Sequence, residues 1–185
     1  LLLVCVAAFC LQFLVPLDLL ALWPIESGRF MPWQVITYSL LHGSMGHLFF
    51  NMLGLWMFGA ELERLWGDKR YLQFIVASVL AAAAAQLIIT YLAGSRYPTV
   101  GLSGALYGLL LAFGMLFPNR TIMPLFPPIP MKARTFVMIF GGLELVLGLV
   151  GGTGVAHFAH LGGMLGGWLM IRYWRGQGPF GGKRR

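Results

Sequence analysis

Apolar stretches that approach or reach bilayer-crossing length recur six times along the chain, at roughly 1–22, 46–63, 71–93, 102–117, 134–151 and 156–173. About 20 apolar residues are needed to cross hydrocarbon, and shorter segments suffice where they tilt or end inside the protein. A backbone in lipid must satisfy its hydrogen bonds within a helix or a closed barrel. No alternating strand pattern runs through these stretches, so helices are expected. Charged residues make up only 10% of the chain, against about 25% in an ordinary soluble domain. The expectation is an all-α, polytopic membrane protein. A single membrane domain spans 1–185 and ends in a short basic tail, 174–185.

Charge placement gives an orientation. Arg64, Lys69 and Arg70 lie between the second and third stretches, and Arg120, Lys132 and Arg134 flank the link between the fourth and fifth. Arg172, Arg175, Lys183, Arg184 and Arg185 close the chain, so 11 of the 13 basic residues fall on one side of a six-span arrangement. Only Arg29 and Arg96 fall on the other. The positive-inside rule then puts both termini in the cytoplasm. The net charge of +7 is thereby accounted for by topology. Nucleic-acid binding would call for basic residues interleaved with aromatics on one surface, and that pattern is absent.

The chain starts at Leu1, inside or just before the expected first helix. A signal peptide over 1–20 would need a basic n-region and a small-residue cleavage site, and neither is present. Cys5 and Cys10 both fall in this stretch and read as small packing residues rather than a disulfide pair. Residues 23–45 form an outer linker whose Trp23, Trp33 and Tyr38 suit an aromatic belt at headgroup level. Residues 118–133 hold Pro118, Pro124, Pro127, Pro128 and Pro130, which exclude a continuous helix and leave a cytoplasmic connector. No internal repeat of the transporter kind is evident.

Polar residues inside the apolar stretches carry the functional signal, because polar groups are costly in hydrocarbon. His47 and Asn51 are four residues apart and share one helix face. His42 precedes them in Leu41-His42-Gly43-Ser44-Met45-Gly46. Ser103 lies in Gly101-Leu102-Ser103-Gly104 at a helix start, with Tyr107 one turn on and Gly104 and Gly108 beside it. His160 shares a stripe with Gly163 and Gly167. Small residues at such spacing let two helix backbones approach closely in lipid.

Taken alone, each of these residues has a packing explanation: His47 and Asn51 as interhelical hydrogen bonders, the glycines as contact points. The combination points to chemistry. A serine hydroxyl attacks when an imidazole takes its proton, and burial favours the neutral imidazole that a base requires. Asn51, a His47 ring N–H and the Ser103 backbone N–H are candidate oxyanion donors. No carboxylate occupies an obvious third position: Glu61 and Glu63 sit at a helix end, and Glu144 lies mid-stretch without a patterned partner. A Ser–His dyad is therefore expected rather than a triad. The Gly-x-Ser-x-Gly elbow of soluble hydrolases does not apply, since no strand precedes Ser103. A metal site from His42, His47, His157 and His160 would lack both Cys and a placed carboxylate. The chemistry requires no metal or cofactor.

The ordered set His42-x4-His47-x3-Asn51, Gly59 with Glu63-x3-Gly67, Gly101-Leu102-Ser103-Gly104 with Tyr107, and Ala159-His160 with Gly163-x3-Gly167 resembles the bacterial rhomboid intramembrane serine proteases over nearly the whole chain. The resemblance implies a six-helix rhomboid bundle in the bacterial inner membrane, its site opening outward. It implies Ser103 as nucleophile and His160 as base, with Tyr107 packing on the His160 ring. It places His47 and Asn51 at oxyanion positions and Trp33 in the first outer loop. Some relatives have Arg after that aromatic where this chain has Gln34, so the loop should be anchored differently. Glu63, Arg64 and Gly67 then stabilise the cytoplasmic end. His157, one turn before His160, is expected to hydrate or orient the site.

The implied activity is cleavage of transmembrane protein substrates near the outer face of the bilayer. His42, His47, Asn51 and His157 are expected to line a water-filled cavity. The glycine-rich loop at 151–154 and the preceding helix are expected to yield to substrate. The competing classes are a catalytically unused rhomboid-like binding or quality-control protein and a transporter using the same polar residues as a pathway.

Overall fold

The computed structural model describes residues 1–125, 128–152 and 156–177. Thr153 and Gly154 of the outer loop, Pro127 of the connector and the basic residues of the tail at 183–185 lie outside the described residues. The described chain is mostly helical: α1 (Leu2–Leu11), α2 (Gln34–Thr37), α3 (Met45–Gly54), α4 (Ala60–Trp66), α5 (Asp68–Leu92), α6 (Ser103–Leu116), α7 (Ala133–Val150) and α8 (His157–Trp174). A π-helical turn, Leu55–Gly59, joins α3 to α4 in one run. Among the described residues, α5 and α7 are long and apolar enough to cross a bilayer by length and composition, while α1 and α6 are apolar but shorter.

The expectation for the first stretch needs correction. The first stretch is not helical to residue 22; α1 ends at Leu11. The Gln12 side chain turns away to the His42 backbone, donating to its carbonyl (3.2 Å) and accepting from its N–H (3.1 Å). Pro16, four residues on, has no N–H with which to resume the ladder. The connector, in turn, carries a two-residue antiparallel hairpin, β1 (Thr121–Ile122) paired with β2 (Met131–Lys132).

The core that matters for function is the wedge of α8 between α5 and α6. Alanines and glycines on these helices replace the usual large side chains. Gly162 and Gly166 of α8 lie against Ala81, Ala85 and the Ala77 carbonyl of α5. Gly163 and Gly167 face Gly104 and Gly108 of α6. Lipid offers no hydrophobic drive between helices, so close backbone packing supplies the attraction. Large apolar side chains such as Phe49, Phe50, Ile88, Leu149 and Leu165 point outward and are exposed. At the opposite end from Ser103, Trp66, Phe74 and Trp174 cluster, the two indoles edge to face and the Phe74 ring tilted against both, with Arg70 over Trp174. Gly67, at φ +74°, makes the one-residue corner from α4 to α5 that permits this cluster.

The outer loop between α1 and α3 is organised by Gln34, whose side chain is fully buried. It accepts from the Trp23 N–H (3.2 Å) and donates to the Leu19 (3.2 Å) and Arg29 (3.0 Å) carbonyls. The neutral amide thus ties three points of the loop together. Trp33 is exposed and donates its indole N–H to the Leu19 carbonyl (3.0 Å). Tyr38, assigned to the aromatic belt, is instead buried, because its hydroxyl reaches the Val79 carbonyl of α5 (3.0 Å). Gln34→Ala is expected to cost about 2–3 kcal/mol, since it leaves buried backbone groups unpaired. Thermal unfolding in detergent measures this; an unchanged midpoint would remove Gln34 as the anchor.

Candidate active site

Ser103 is delivered by a backbone held on two sides. Thr99 exchanges both backbone hydrogen bonds with Leu22 (3.0 and 2.9 Å), and its hydroxyl accepts from Gln86 Nε2 of α5 (3.0 Å). The Gly101 N–H donates to the Tyr38 carbonyl (2.9 Å). Gly101 sits at φ +122°, and a Cβ there would lie 2.6 Å from the His47 ring, so the position excludes side chains twice over. Because α6 begins at Ser103, its N–H is among the first-turn donors that no helical carbonyl can take.

His160 stands in the first turn of α8 with Nε2 2.7 Å from Ser103 Oγ. The Tyr107 ring stacks on the imidazole, centroids 4.4 Å apart and planes 7° from parallel. This approach depends on Gly104 and Gly163. A Cβ on Gly163 would overlap the Gly104 carbonyl, and one on Gly104 would come within 2.5 Å of the Ala82 Cβ.

His47 is held at the N-terminus of α3. Ser44 caps the helix by accepting the His47 N–H (3.1 Å), and His47 Nδ1 accepts from the Gly43 N–H (3.4 Å). That acceptance leaves the ring proton on Nε2, the nitrogen nearest Gly101. Asn51, one turn on, is buried and donates one amide hydrogen to the His47 carbonyl (2.8 Å), which leaves its second N–H available.

Ser103, His160, His47, Asn51, Tyr107, Gly101 and Gly104 all line one open cavity of about 890 Å³, together with Gln86 and Tyr97. His42 and His157, expected among the lining residues, are elsewhere. His42 is buried edge-on against His47 (5.2 Å) behind the cavity wall. Burial, then the nearby His47 ring, pulls its imidazole down to about 4, so it stays neutral at pH 7. His157 is buried against Glu144, its ring edge-on to His160 (6.3 Å).

The largest departure concerns Glu144. Its side chain on α7 is buried, where the sequence offered it no partner, and three groups converge on the carboxylate. The Tyr107 hydroxyl donates to Oε1. His157 Nδ1 lies 2.6 Å from Oε2, and His160 Nδ1 lies 2.8 Å from the same oxygen. The His160 contact is bent away from hydrogen-bond geometry, so proximity of charge and dipole defines it rather than a directed bond. A lone acidic residue in an apolar helix was the available signal; its partners, on two other helices, were not readable.

Among the described residues, Glu144, His157 and His160 also bring ligand-type atoms within 4.8 Å of one another. This is not the four-histidine set considered from sequence. The two Nδ1 atoms already touch the carboxylate, so an ion could enter only by pushing the three groups apart.

The sequence model of the Rhomboid domain matches residues 29–176. The chain belongs to the rhomboid family. Rhomboid-family proteins are integral membrane proteins, which agrees with the outward-facing apolar side chains. Its relatives include Rhomboid protease GluP of Bacillus subtilis (strain 168), 29% identical over 138 residues, which cover 74% of this chain and 25% of GluP. Rhomboid protease GlpG of Yersinia pestis (strain Pestoides F) is 26% identical over 156 residues, covering 82% of this chain and 51% of GlpG. Rhomboid protease GlpG of Serratia proteamaculans (strain 568) is 29% identical over 155 residues with the same coverages. The rhomboid chain therefore spans between a quarter and a half of the length of these curated relatives.

Proposed function

We propose that this chain is an intramembrane serine endopeptidase that cuts transmembrane helices of protein substrates near the outer face of the bilayer. The observation that carries the reading is the 2.7 Å approach of His160 Nε2 to Ser103 Oγ at the wall of an open cavity. In the proposed reaction, Ser103 Oγ bonds to the scissile carbonyl carbon while its proton passes to His160 Nε2. The carbonyl π pair moves onto oxygen, facing the His47 ring N–H, the free Asn51 N–H and the Ser103 backbone N–H. The tetrahedral species collapses as His160 gives its proton to the leaving amine, and water then releases the acyl group by the same route.

A helix keeps its carbonyls in its own hydrogen bonds, so a substrate must unwind locally before attack. Segments containing glycine or other weak helix formers are the favoured targets. An apolar cleft of about 490 Å³ between α3 and α7, lined by Phe50, Met57, Phe136 and Phe140, supports entry from the lipid side. The wider proposal is a single six-span domain over 1–185 in the bacterial inner membrane, both termini cytoplasmic and the cavity facing out.

Treatment of the detergent-solubilised protein with a fluorophosphonate probe tests the reading. The expected result is covalent labelling of the wild type, with none of Ser103→Ala. Equal labelling of Ser103→Ala would overturn it, and solute flux without labelling would favour the transporter.

A further inference from the structure

We propose that Glu144 is a positioning residue for the base, so that the site operates as Ser103–His160–Glu144 rather than as a dyad. The inference rests on the serine-protease reading above and goes beyond it. A buried carboxylate inside an apolar helix is costly unless donors surround it. Here Tyr107 donates to one oxygen, while the Nδ1 atoms of His157 and His160 lie 2.6 and 2.8 Å from the other.

The consequence for His160 follows from elementary electrostatics. If its proton were on Nε2, the electron-rich Nδ1 would lie 2.8 Å from a carboxylate oxygen with no proton between them. That repulsion selects the tautomer with the proton on Nδ1. The Nε2 lone pair then faces Ser103 Oγ at 2.7 Å, ready to take its proton. When the proton arrives, the imidazolium lies beside a charge already in place. Glu144 itself stays unprotonated throughout, as the carboxylate does in soluble serine proteases.

Tyr107 belongs to the same device: its ring stacks on His160 while its hydroxyl holds Glu144. His157 meets the same carboxylate oxygen as His160, so the second histidine helps to fix where that oxygen lies.

Two measurements test the proposal. The first needs no variant of Glu144: long-range proton–nitrogen correlation spectra of histidine-labelled wild-type protein in detergent, with His160 assigned by comparison with His160→Asn. The expected result is the Nδ1–H tautomer; an Nε2–H tautomer would overturn the proposal even if the protein labels normally. The second is the rate of fluorophosphonate labelling in Glu144→Gln, which keeps the size and removes the charge. A fall of about 10²-fold or more, with an unchanged unfolding midpoint, is expected by analogy with carboxylate-to-amide exchange in soluble triads. A rate within twofold of wild type would sink Glu144 while leaving the protease reading intact. Failure of the wild type to label would instead count against that reading, and the tautomer would still decide the role of Glu144.

Discussion

Gly163→Val is expected to lose the folded protein and the site together. A Cβ at this position would fall on the Gly104 carbonyl, and neither partner is a flexible side chain that can swing away. Relief requires α6 and α8 to separate. Overpacking against side chains typically costs 1–3 kcal/mol, and backbone pressed on backbone should exceed this, at about 4 kcal/mol or more. The same separation pulls Ser103 from His160, and a displacement of about 1 Å can cost on the order of 10²-fold in rate. The unfolding midpoint and probe labelling should therefore fall in parallel. Gly142→Ala, on α7 with nothing within 4 Å of the added Cβ, is the control and should leave both unchanged. A stable, fully labelled Gly163→Val protein would show that the contact does not set the approach.

His160→Ala is expected to act on chemistry alone. Without a base, Ser103 is an ordinary hydroxyl, and removal of one member of such a unit costs about 10⁴-fold or more in kcat. Stability should change far less, because Tyr107 and His157 still hold the Glu144 carboxylate. Turnover of a transmembrane substrate, followed alongside thermal unfolding, separates the two effects. Residual kcat within tenfold of wild type would rule out His160 as the base.

What could be read in advance follows from the physics of each feature. Ser103 and His160 were conspicuous because each sits in a run of small residues at helical spacing, and that spacing exists to bring two backbones together. The helix bounds from α3 onward were legible from hydropathy, since lipid imposes long apolar runs. The end of α1 was only half legible: Pro16 marks where the ladder cannot resume, but the Gln12 bonds to the His42 backbone, 30 residues away, leave no local sign. Tyr38 looked like a membrane-surface aromatic until its hydroxyl proved to have a buried carbonyl to meet. The π turn at Leu55–Gly59 leaves no mark in an apolar sequence, although it resets the rotation of α4 relative to the His47–Asn51 face. Glu144 was visible as an anomaly and illegible as a partner. Its contacts lie 13, 16 and 37 residues away on α8 and α6, and no one-dimensional period links three helices.

The placement of Glu144 on α7, rather than on α6 or α8, has a mechanical consequence. Ser103 and His160 ride on two helices locked by glycine contacts, whereas the carboxylate arrives from a third that borders the lipid-side cleft. Any outward swing of α7 that widens this cleft also withdraws the negative charge from His160. On the proposed reading, the base would then lack its counter-charge until α7 returned. Admission and bond cleavage would, on that reading, be coupled through one side chain.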